Sequence, residues 1–303
     1  MAIVDFHTHF FSSTYFRALA AQSPLAGSVE TKLAGVAEKT GVQIPEGDTA
    51  RHVERWMAEL DKHGVEHIAS FASVPDENAT LAEALELSKG RISAFAFVNP
   101  MVEGHEEKLA WAMTRKGFKG ALVFPALHHF AIDGAPARPL LQTLERHEGI
   151  VFVHCGLLVV KLRDLLGIPR TQNIAFANPL SVIAAANAFP KVKFVIPHFG
   201  AGFLRETLMC GAQCPNVYVD TSSSNNWIAT TAPRMTLRDV FERTLDVFGA
   251  RRVLFGTDSN TFPAGWRRER YEEQRTLLAS ASVNAADQEL IFAGNARRLL
   301  GLA

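Results

Sequence analysis

The chain has 303 residues, 48% of them hydrophobic, and its 31 basic side chains balance 31 acidic ones. This is the composition of a globular protein with a substantial core. The balanced charge gives no indication that the chain binds nucleic acid or an acidic membrane surface. The sequence shows neither a signal peptide nor an apolar run long enough to span a bilayer, so we expect no membrane segment. Three cysteines, Cys155, Cys210 and Cys214, are too few for a disulfide framework and favour a reducing, cytoplasmic setting, where we expect them as small buried residues.

The N-terminal segment is the first candidate for chemistry. Residues 2–4 form a short apolar run that predicts a buried strand leading to His7 and His9. Side chains two residues apart point the same way in an extended chain, so both imidazoles leave the strand end on one face. Such a pair suits a first-row divalent metal ion, with zinc as the default. The alternative is a pair of ordinary histidines in a turn.

Residues 11–49 follow as a long irregular region with scattered glycine, serine and proline. Partial helical patterns cover residues 14–21 and 29–39. Long connections in compact domains are usually functional, so we expect this region to fold over a site as a lid. Phe10 and Phe11 at its beginning are expected either to line a pocket or to anchor the lid.

From residue 50 onward, short apolar strands alternate with helical patterns. The later predicted strands cover residues 68–71, 92–98, 121–124, 150–153, 192–196, 217–219 and 252–255, and the helices cover 51–63, 81–89, 106–116, 139–147, 180–189, 203–211, 236–248, 268–280 and 285–300. The strands are continuous apolar runs, which is typical of a parallel sheet covered on both faces. Eight strands separated mostly by helices predict an α/β protein with a (β/α)8 (TIM) barrel, and an open doubly wound sheet is the alternative.

Ligand-type side chains follow several of these strands. In a barrel the reactive groups come from the carboxyl ends of the strands and the loops that follow them. The first strand ends in His7 and His9, the fifth delivers His154, the sixth delivers His198, and the eighth runs into Asp258. A lone histidine after a strand is usually a loop residue, but five such side chains at corresponding ends converge as a site should. We therefore predict a metal centre here.

Other residues at this end of the barrel are candidates for substrate contacts. His128 and His129 follow the fourth strand and could contact substrate or supply a further base. Aromatic and amide side chains after the seventh and eighth strands are expected to shape the pocket, namely Asn225, Asn226, Trp227, Phe262 and Trp266. Packing between loops is an equally good account of the two tryptophans. The remaining histidines, at positions 52, 63, 67, 105 and 147, are expected on the surface.

These segments together resemble the amidohydrolase superfamily, and within it the amidohydrolase-related branch that includes aminocarboxymuconate-semialdehyde decarboxylase. The resemblance covers nearly the whole chain. Its motifs are Asp5-Phe6-His7-Thr8-His9, Val153-His154-Cys155-Gly156, Ile196-Pro197-His198-Phe199-Gly200, Phe255-Gly256-Thr257-Asp258 and Phe292-Ala293-Gly294-Asn295-Ala296-Arg297-Arg298-Leu299. This ordered set is specific for superfamily and fold and says little about the substrate.

The resemblance implies a single metal-dependent barrel domain over residues 1–303, a homodimer, and a metal ion held by His7, His9, His154 and Asp258. It also implies that His198 polarises water or shuttles a proton, although the corresponding histidine is a ligand in two-metal members. Zinc is preferred, with manganese and iron as further options. Many relatives bridge two metals with a carbamylated lysine at the end of the fourth strand. Here Lys119 precedes that strand and none follows it, so one metal is favoured.

The first functional hypothesis is a hydrolase that uses a metal-activated water on a small ester, lactone or amide. Asp258 would accept the proton of that water and pass it to the leaving group, while His198 orients the water. The alternative is a carboxy-lyase or hydratase acting on an unsaturated or aromatic carboxylic acid. Such a substrate needs cations at the mouth, for which the candidates are Lys161, Arg163, Arg205 and Arg267. A barrel that only binds a ligand is the non-enzymatic alternative.

Overall fold

Eight parallel strands lie side by side in chain order in the computed structural model, which describes residues 2–222 and 226–302. The strands are β1 (Val4–His9), β2 (His67–Phe71), β3 (Ile92–Phe97), β4 (Gly120–Val123), β5 (Ile150–Val153), β6 (Lys193–Ile196), β7 (Val217–Asp220) and β8 (Val253–Leu254). Each strand pairs in parallel with the next one. Because helices connect successive strands, the predicted (β/α)8 barrel is confirmed.

Hydrogen bonds between the first strand and the segment after the last one complete the barrel. Phe6 N donates to Phe255 O over 2.8 Å, and Asp258 N donates to His7 O over 2.8 Å. The two segments approach closely because Gly256 lacks a side chain: a Cβ there would lie 2.7 Å from His7 Cβ. The chain that follows β8 is therefore held directly beside the end of β1.

Helices surround the barrel and form the region after β1. They are α1 (Ser13–Gln22), α2 (Val29–Thr40), α3 (Thr49–His63), α4 (Glu77–Leu87), α5 (His105–Lys116), α6 (Pro125–His128), α7 (Arg138–Arg146), α8 (Lys161–Leu165), α9 (Leu180–Ala188), α10 (Leu204–Gln213), α11 (Leu237–Phe248), α12 (Arg268–Ser280), α13 (Ala285–Glu289) and α14 (Asn295–Leu300). Among the described residues, none of the helices combines the length and the apolar character needed to cross a membrane.

The apolar periodicity located most elements to within a few residues. The predicted strand at 150–153 and helix at 268–280 coincide with β5 and α12. The single helix predicted over residues 285–300 is instead interrupted by a π-helical turn at Leu290–Gly294. The sequence pattern did not predict α6 and α8, because four or five residues are too few to display a helical period.

Phenylalanine rings fill the barrel interior next to His7. Phe6, Phe71, Phe95 and Phe152 come from β1, β2, β3 and β5 and are fully buried. The Phe152 ring centroid lies 4.6 Å from that of Phe71 and 5.1 Å from that of Phe95, and the His7 ring meets Phe71 at 4.8 Å. We call these four rings the aromatic floor. By excluding water, the floor strengthens electrostatic interactions among the polar groups packed against it.

Three histidines that were expected on the surface are buried, which corrects the sequence-based expectation. His52, His67 and His105 each donate from a ring nitrogen to a backbone carbonyl oxygen, at 2.7, 3.0 and 2.9 Å. A buried polar ring is tolerated when it is hydrogen-bonded in this way. The helical period of a sequence does not reveal that a carbonyl group lies within reach. His147 is exposed, as expected, and the three cysteines are buried and free.

The buried His67 ring predicts a pH dependence of stability. Burial lowers its pKa from 6.5 to about 4, because the charged ring would lose its hydration. As the pH falls through this interval, the unfolded chain binds a proton that the folded chain does not, so the free energy of unfolding decreases. In His67→Asn this slope should be shallower by up to about 1.4 kcal/mol per pH unit. Urea unfolding at a series of pH values measures the slope, with the exposed His147→Asn as control, and equal slopes in wild type and His67→Asn would contradict the prediction.

Candidate metal centre

Two histidines of β1 and one carboxylate after β8 converge at the carboxyl end of the barrel. His7 Nε2 and His9 Nε2 lie 3.7 and 3.3 Å from Asp258 Oδ1. One ligand atom from each of these three residues lies within 4.8 Å of the others. His7 and Asp258 are buried and His9 is nearly so, which means that their charges are poorly screened by solvent.

Contacts at the Nδ1 atoms orient both β1 histidines. His7 Nδ1 donates to Asp220 Oδ2 over 2.7 Å, and His9 Nδ1 lies 2.7 Å from Ser73 Oγ. With Nδ1 engaged, Nε2 is the ring nitrogen left to face Asp258. Metal-binding histidines in proteins are typically oriented by such contacts at their second nitrogen.

Asp220 at the end of β7 is a functional residue that the sequence analysis missed. Besides the His7 ring, its carboxylate accepts hydrogen bonds from the backbone N–H groups of His198 and Ser222, both at 3.0 Å, and from the Ser222 hydroxyl. Burial raises the pKa of Asp220, but the facing His7 more than offsets this effect, and the pKa lies below its ordinary value. The sequence contained the signal needed to find it, a polar residue at the end of an apolar strand. Asp220 is the last residue of β7, and His154 and His198 come one and two positions after β5 and β6.

Asp258 is an anion held in a strained backbone conformation. Its φ of 58° lies in the left-handed region, which is costly for a residue with a side chain. Burial raises its pKa, but the facing rings of His9 and His7 outweigh burial and hold the pKa well below its ordinary value. Strain of this kind persists where the surrounding structure enforces it, here through the bond from Asp258 N to His7 O.

His198 has a defined tautomer. Its Nδ1 lies 3.0 Å from the Ser222 carbonyl oxygen, which can only accept, so Nδ1 carries the proton. Burial lowers the pKa of His198, so the ring is neutral and Nε2 is a hydrogen-bond acceptor. The ring centroid lies 4.8 Å from that of His7, and the backbone again has a positive φ of 56°.

His154 lines the same cavity on the β5 side, outside the two groups of ligand atoms that lie within 4.8 Å of one another. Its ring stacks on Phe124 at 5.4 Å and lies 5.2 Å from the His198 ring. Burial lowers its pKa to about 3, so the ring is neutral. Among the described residues its buried Nδ1 has no hydrogen-bond partner. Within the described chain, ring nitrogens also lack partners in His63, His105 and His128. His154 differs from these in lying beside the His198 ring, where a cation could satisfy its nitrogen.

The donor set fits a divalent metal ion. Neutral imidazoles and an ionised carboxylate are the usual zinc ligands, and the orphaned Nδ1 of His154 is a further donor in the same cavity. Of the four ligands predicted from the sequence, His7, His9 and Asp258 lie within ligand distance of one another, and His154 lines the same cavity. The ligand atoms of His7, His198 and Asp220 form a second close group, in which Asp220 is occupied by hydrogen bonds.

Glu77 at the start of α4 connects the candidate metal centre to the region after β1 through hydrogen bonds. Its fully buried carboxylate accepts from Ser12 N and Ser73 N, at 2.7 and 2.8 Å, and from Ser12 Oγ at 2.8 Å. Ser73 in turn contacts His9, and Ser12 caps α1. Burial raises the pKa of Glu77 to about 7. The sequence analysis missed Glu77, because it lies before the helix predicted over residues 81–89 and nothing in its neighbourhood distinguishes it from other glutamates.

The metal centre opens into a cavity of about 670 Å³, a volume ordinary for small organic ligands. Its walls include aromatic and aliphatic side chains from α1 and α2, in the region predicted to form a lid. His128 and Arg163, two of the predicted substrate residues, line the cavity, as do Lys161 and Arg267. Arg163 Nη1 donates to Gln22 Oε1 over 3.4 Å. Within the described parts of the chain, none of the three cations has a carboxylate oxygen within 4.0 Å.

Comparison with protein families decides what kind of barrel this is. The family model described as amidohydrolase matches residues 4–302, which is almost the entire chain. The chain belongs to the amidohydrolase family. A search of curated proteins finds no match to this amidohydrolase.

Solved structures with the same fold include both decarboxylases and a hydrolase. The amidohydrolase is similar to 5-carboxyvanillate decarboxylase LigW from Sphingomonas paucimobilis, with 13% identity over 100% of this chain and 99% of that one and a TM-score of 0.68. A 2,6-dihydroxybenzoate decarboxylase complexed with 2,6-dihydroxybenzoate shares 18% identity over 100% of both chains, with a TM-score of 0.67. A probable 2-pyrone-4,6-dicarboxylic acid hydrolase from Acinetobacter baumannii, with citric acid bound, shares 15% over 99% of this chain and 100% of that one, with a TM-score of 0.63. At these identities the likeness concerns the fold alone.

Four of the predicted substrate residues lie apart from the cavity wall of this amidohydrolase. Trp227 is fully buried against Phe199, and the Trp266 indole donates to Asp5 Oδ2 over 2.8 Å, so both pack as the alternative interpretation held. Arg205 is exposed and paired with Glu206 at 2.7 Å. His129 is exposed and bonds to Thr171 O at 2.6 Å. These placements correct the expectation of substrate contact, whereas Asn225 lies outside the described residues.

Proposed function

We propose that this amidohydrolase is a metal-dependent hydrolase that adds water to a small ester, lactone or amide bearing a carboxylate. The observation that carries the proposal is the hydrogen bonding of His198. Its Nδ1–H donates to Ser222 O, so the nitrogen available to the cavity is an acceptor. Asp258, within contact distance of His7 and His9, is a second acceptor. Two acceptors suit proton removal from water better than proton donation to carbon.

Each residue then has a defined task. Asp258 accepts a proton as water attacks the carbonyl carbon, and it returns that proton to the leaving oxygen or nitrogen as the bond to carbon breaks. His198 accepts a hydrogen bond at Nε2 and so orients the attacking water. Asp220 keeps the His7 proton on Nδ1. Leu122 and Phe124 form an apolar wall that limits access of bulk water.

A single divalent ion, most simply zinc, is proposed at His7, His9, His154 and Asp258. When bound, it supplies a Lewis acid and lowers the pKa of water toward neutrality. The choice of zinc rests on the mixture of imidazole and carboxylate ligands. One ion is favoured because the segment after β4 begins with Phe124 and Pro125 and offers no lysine to bridge a pair.

The cations in the cavity support a carboxylate on the substrate. Lys161, Arg163 and Arg267 share this cavity with the candidate metal ligands. A cation in partly apolar surroundings gains most from an anionic partner. A small organic acid that also carries an ester, lactone or amide bond would meet the metal centre at one end and a cation at the other.

Non-oxidative decarboxylation or hydration of an unsaturated or aromatic acid is the second candidate. Aromatic side chains such as Phe97 and Phe124 line the cavity, and two of the similar structures are named decarboxylases. The same cations would then hold the carboxylate that is lost or retained. This chemistry requires a proton donor to carbon, and because the neutral His198 has no N–H on its cavity side, that role would fall to a protonated Asp258.

Product analysis tests the proposal. Zinc-loaded enzyme is incubated with a panel of lactones, esters and aromatic carboxylates, while acid release is followed by pH-stat and carbon dioxide by infrared detection. We expect net addition of water to at least one lactone or ester, no carbon dioxide, and loss of turnover after removal of the metal by chelation. Carbon dioxide release from the aromatic acids without ester or lactone hydrolysis would overturn the proposal in favour of the second candidate.

A further inference from the structure

The cavity extends well beyond the metal centre into an apolar space beneath α1 and α2. Phe16 and Leu19 of α1, Val36 of α2, and Leu162 and Leu165 of α8 line the same cavity as His7 and Asp258. We call the space bounded by these five side chains the lid compartment. No part of the hydrolytic chemistry described above uses it.

The lid compartment belongs to its own hydrophobic cluster. Phe16, Leu19 and Val36 pack with Leu166 and Ile168 in a group separate from the core of the barrel. These side chains are almost fully buried, with at most 6% of their surface exposed. Phe16, Leu19 and Val36 therefore form a fixed wall, and the half-buried Leu162 and Leu165 supply the surface that is open to the cavity.

An aromatic pair links the compartment to the metal centre. The Phe11 ring stacks on Tyr15 at 3.9 Å and lies 5.1 Å from the His9 ring. Both rings line the cavity, so a ligand can contact them while it reaches the metal centre at one end and the lid compartment at the other. The two spaces are continuous.

We propose that the substrate carries an extended apolar group, alkyl or aryl, that binds in the lid compartment while its reacting end lies at the metal centre. This inference deepens the proposed hydrolase function and rests on it for the reacting end. A small ester would fill only part of a cavity of about 670 Å³. The apolar surface left for such a group is mainly that of the half-buried Leu162 and Leu165, and each CH2 buried against it contributes about 0.8 kcal/mol, equivalent to about fourfold in affinity.

A chain-length series tests the compartment without depending on turnover. Binding of straight-chain carboxylates from acetate to decanoate to the zinc-loaded protein is measured by isothermal titration calorimetry. We expect the dissociation constant to fall by about fourfold per added CH2 until the compartment is full, after which it levels off. A dissociation constant independent of chain length would overturn the proposal.

Two substitutions at one position give opposite expectations. Leu162→Trp fills the lid compartment and should make affinity level off at a shorter chain than in wild type, whereas Leu162→Ala should extend the series to longer chains. The matched control is Leu180→Trp, because Leu180 is 43% exposed on α9 and its replacement should leave the series unchanged. An unchanged levelling point in both Leu162 variants would contradict the assignment, and thermal unfolding verifies that each variant is folded.

Hydrolysis of γ-lactones with side chains from methyl to octyl separates this inference from the function beneath it. If kcat/KM rises with side-chain length and the rise is cut short in Leu162→Trp, both stand. If neither the lactones nor the corresponding alkyl esters and amides are hydrolysed but the carboxylates still show the chain-length dependence, the hydrolase function fails and the compartment stands. If lactones are hydrolysed at rates independent of side-chain length, the compartment is overturned and the hydrolase stands.

Discussion

Asp258→Asn is expected to lower turnover per bound metal ion by about 10²–10⁴-fold, the range typical for loss of a general base. The amide keeps the size of the side chain but has no charge with which to accept a proton. It also loses the attraction between the carboxylate and the Nε2 atoms of His7 and His9, at 3.7 and 3.3 Å. Metal affinity should therefore fall as well.

The measurement must separate these two losses. Metal content is determined by mass spectrometry on the same samples used for kinetics, and turnover is expressed per bound ion. Asp246→Asn, at an exposed position of α11, is the matched control and should behave as wild type. Undiminished turnover per bound ion in Asp258→Asn would exclude Asp258 as the base.

Asp220→Asn is expected to weaken metal binding by about 10–100-fold, although Asp220 is not proposed as a ligand. Its carboxylate accepts the Nδ1 proton of His7 at 2.7 Å and two backbone N–H groups, including that of His198. An amide in its place presents an N–H group to at least one of these donors. The His7 ring then loses the partner that directs Nε2 toward Asp258.

Two readouts distinguish this positioning role from a general loss of stability. Competition with a chromogenic chelator gives the metal affinity, and a downfield proton resonance of the His7 Nδ1–H is expected in wild type and should be absent in Asp220→Asn. Asp246→Asn again serves as the control. Wild-type metal affinity in a folded Asp220→Asn protein would show that Asp220 does not position His7.

The barrel was predictable from the sequence because its strands are buried on both faces. The run of residues 150–153 contains no polar residue, so its limits are clear in the sequence. The strand predicted there coincides with β5. The five polar residues at or shortly after the ends of such runs could be proposed for the same reason. Immediately after a strand the chain still points along the barrel axis, so His154 and His198 reach the same cavity.

Residues farther from the strand ends could not be assigned in this way. Arg205 lies nine positions beyond Ile196, inside α10, and its guanidinium is directed to Glu206. Trp266 lies twelve positions beyond Leu254 and is drawn into the core by its bond to Asp5. Once a loop turns, its direction depends on tertiary contacts rather than on periodicity. Glu77 and His67 were hidden for a related reason, since a buried polar residue is revealed only by its hydrogen-bond partners.

The aromatic floor also determines from which end of the barrel ligands can reach the candidate metal centre. Phe6, Phe71, Phe95 and Phe152 fill the interior of the barrel, so within the described chain the candidate metal centre is reached from the carboxyl ends of the strands. Reactant, product and the metal ion itself then enter and leave through the same opening of the cavity. Exchange of the ion should consequently slow whenever an organic ligand sits in that passage, and a tightly held product would trap the metal behind it.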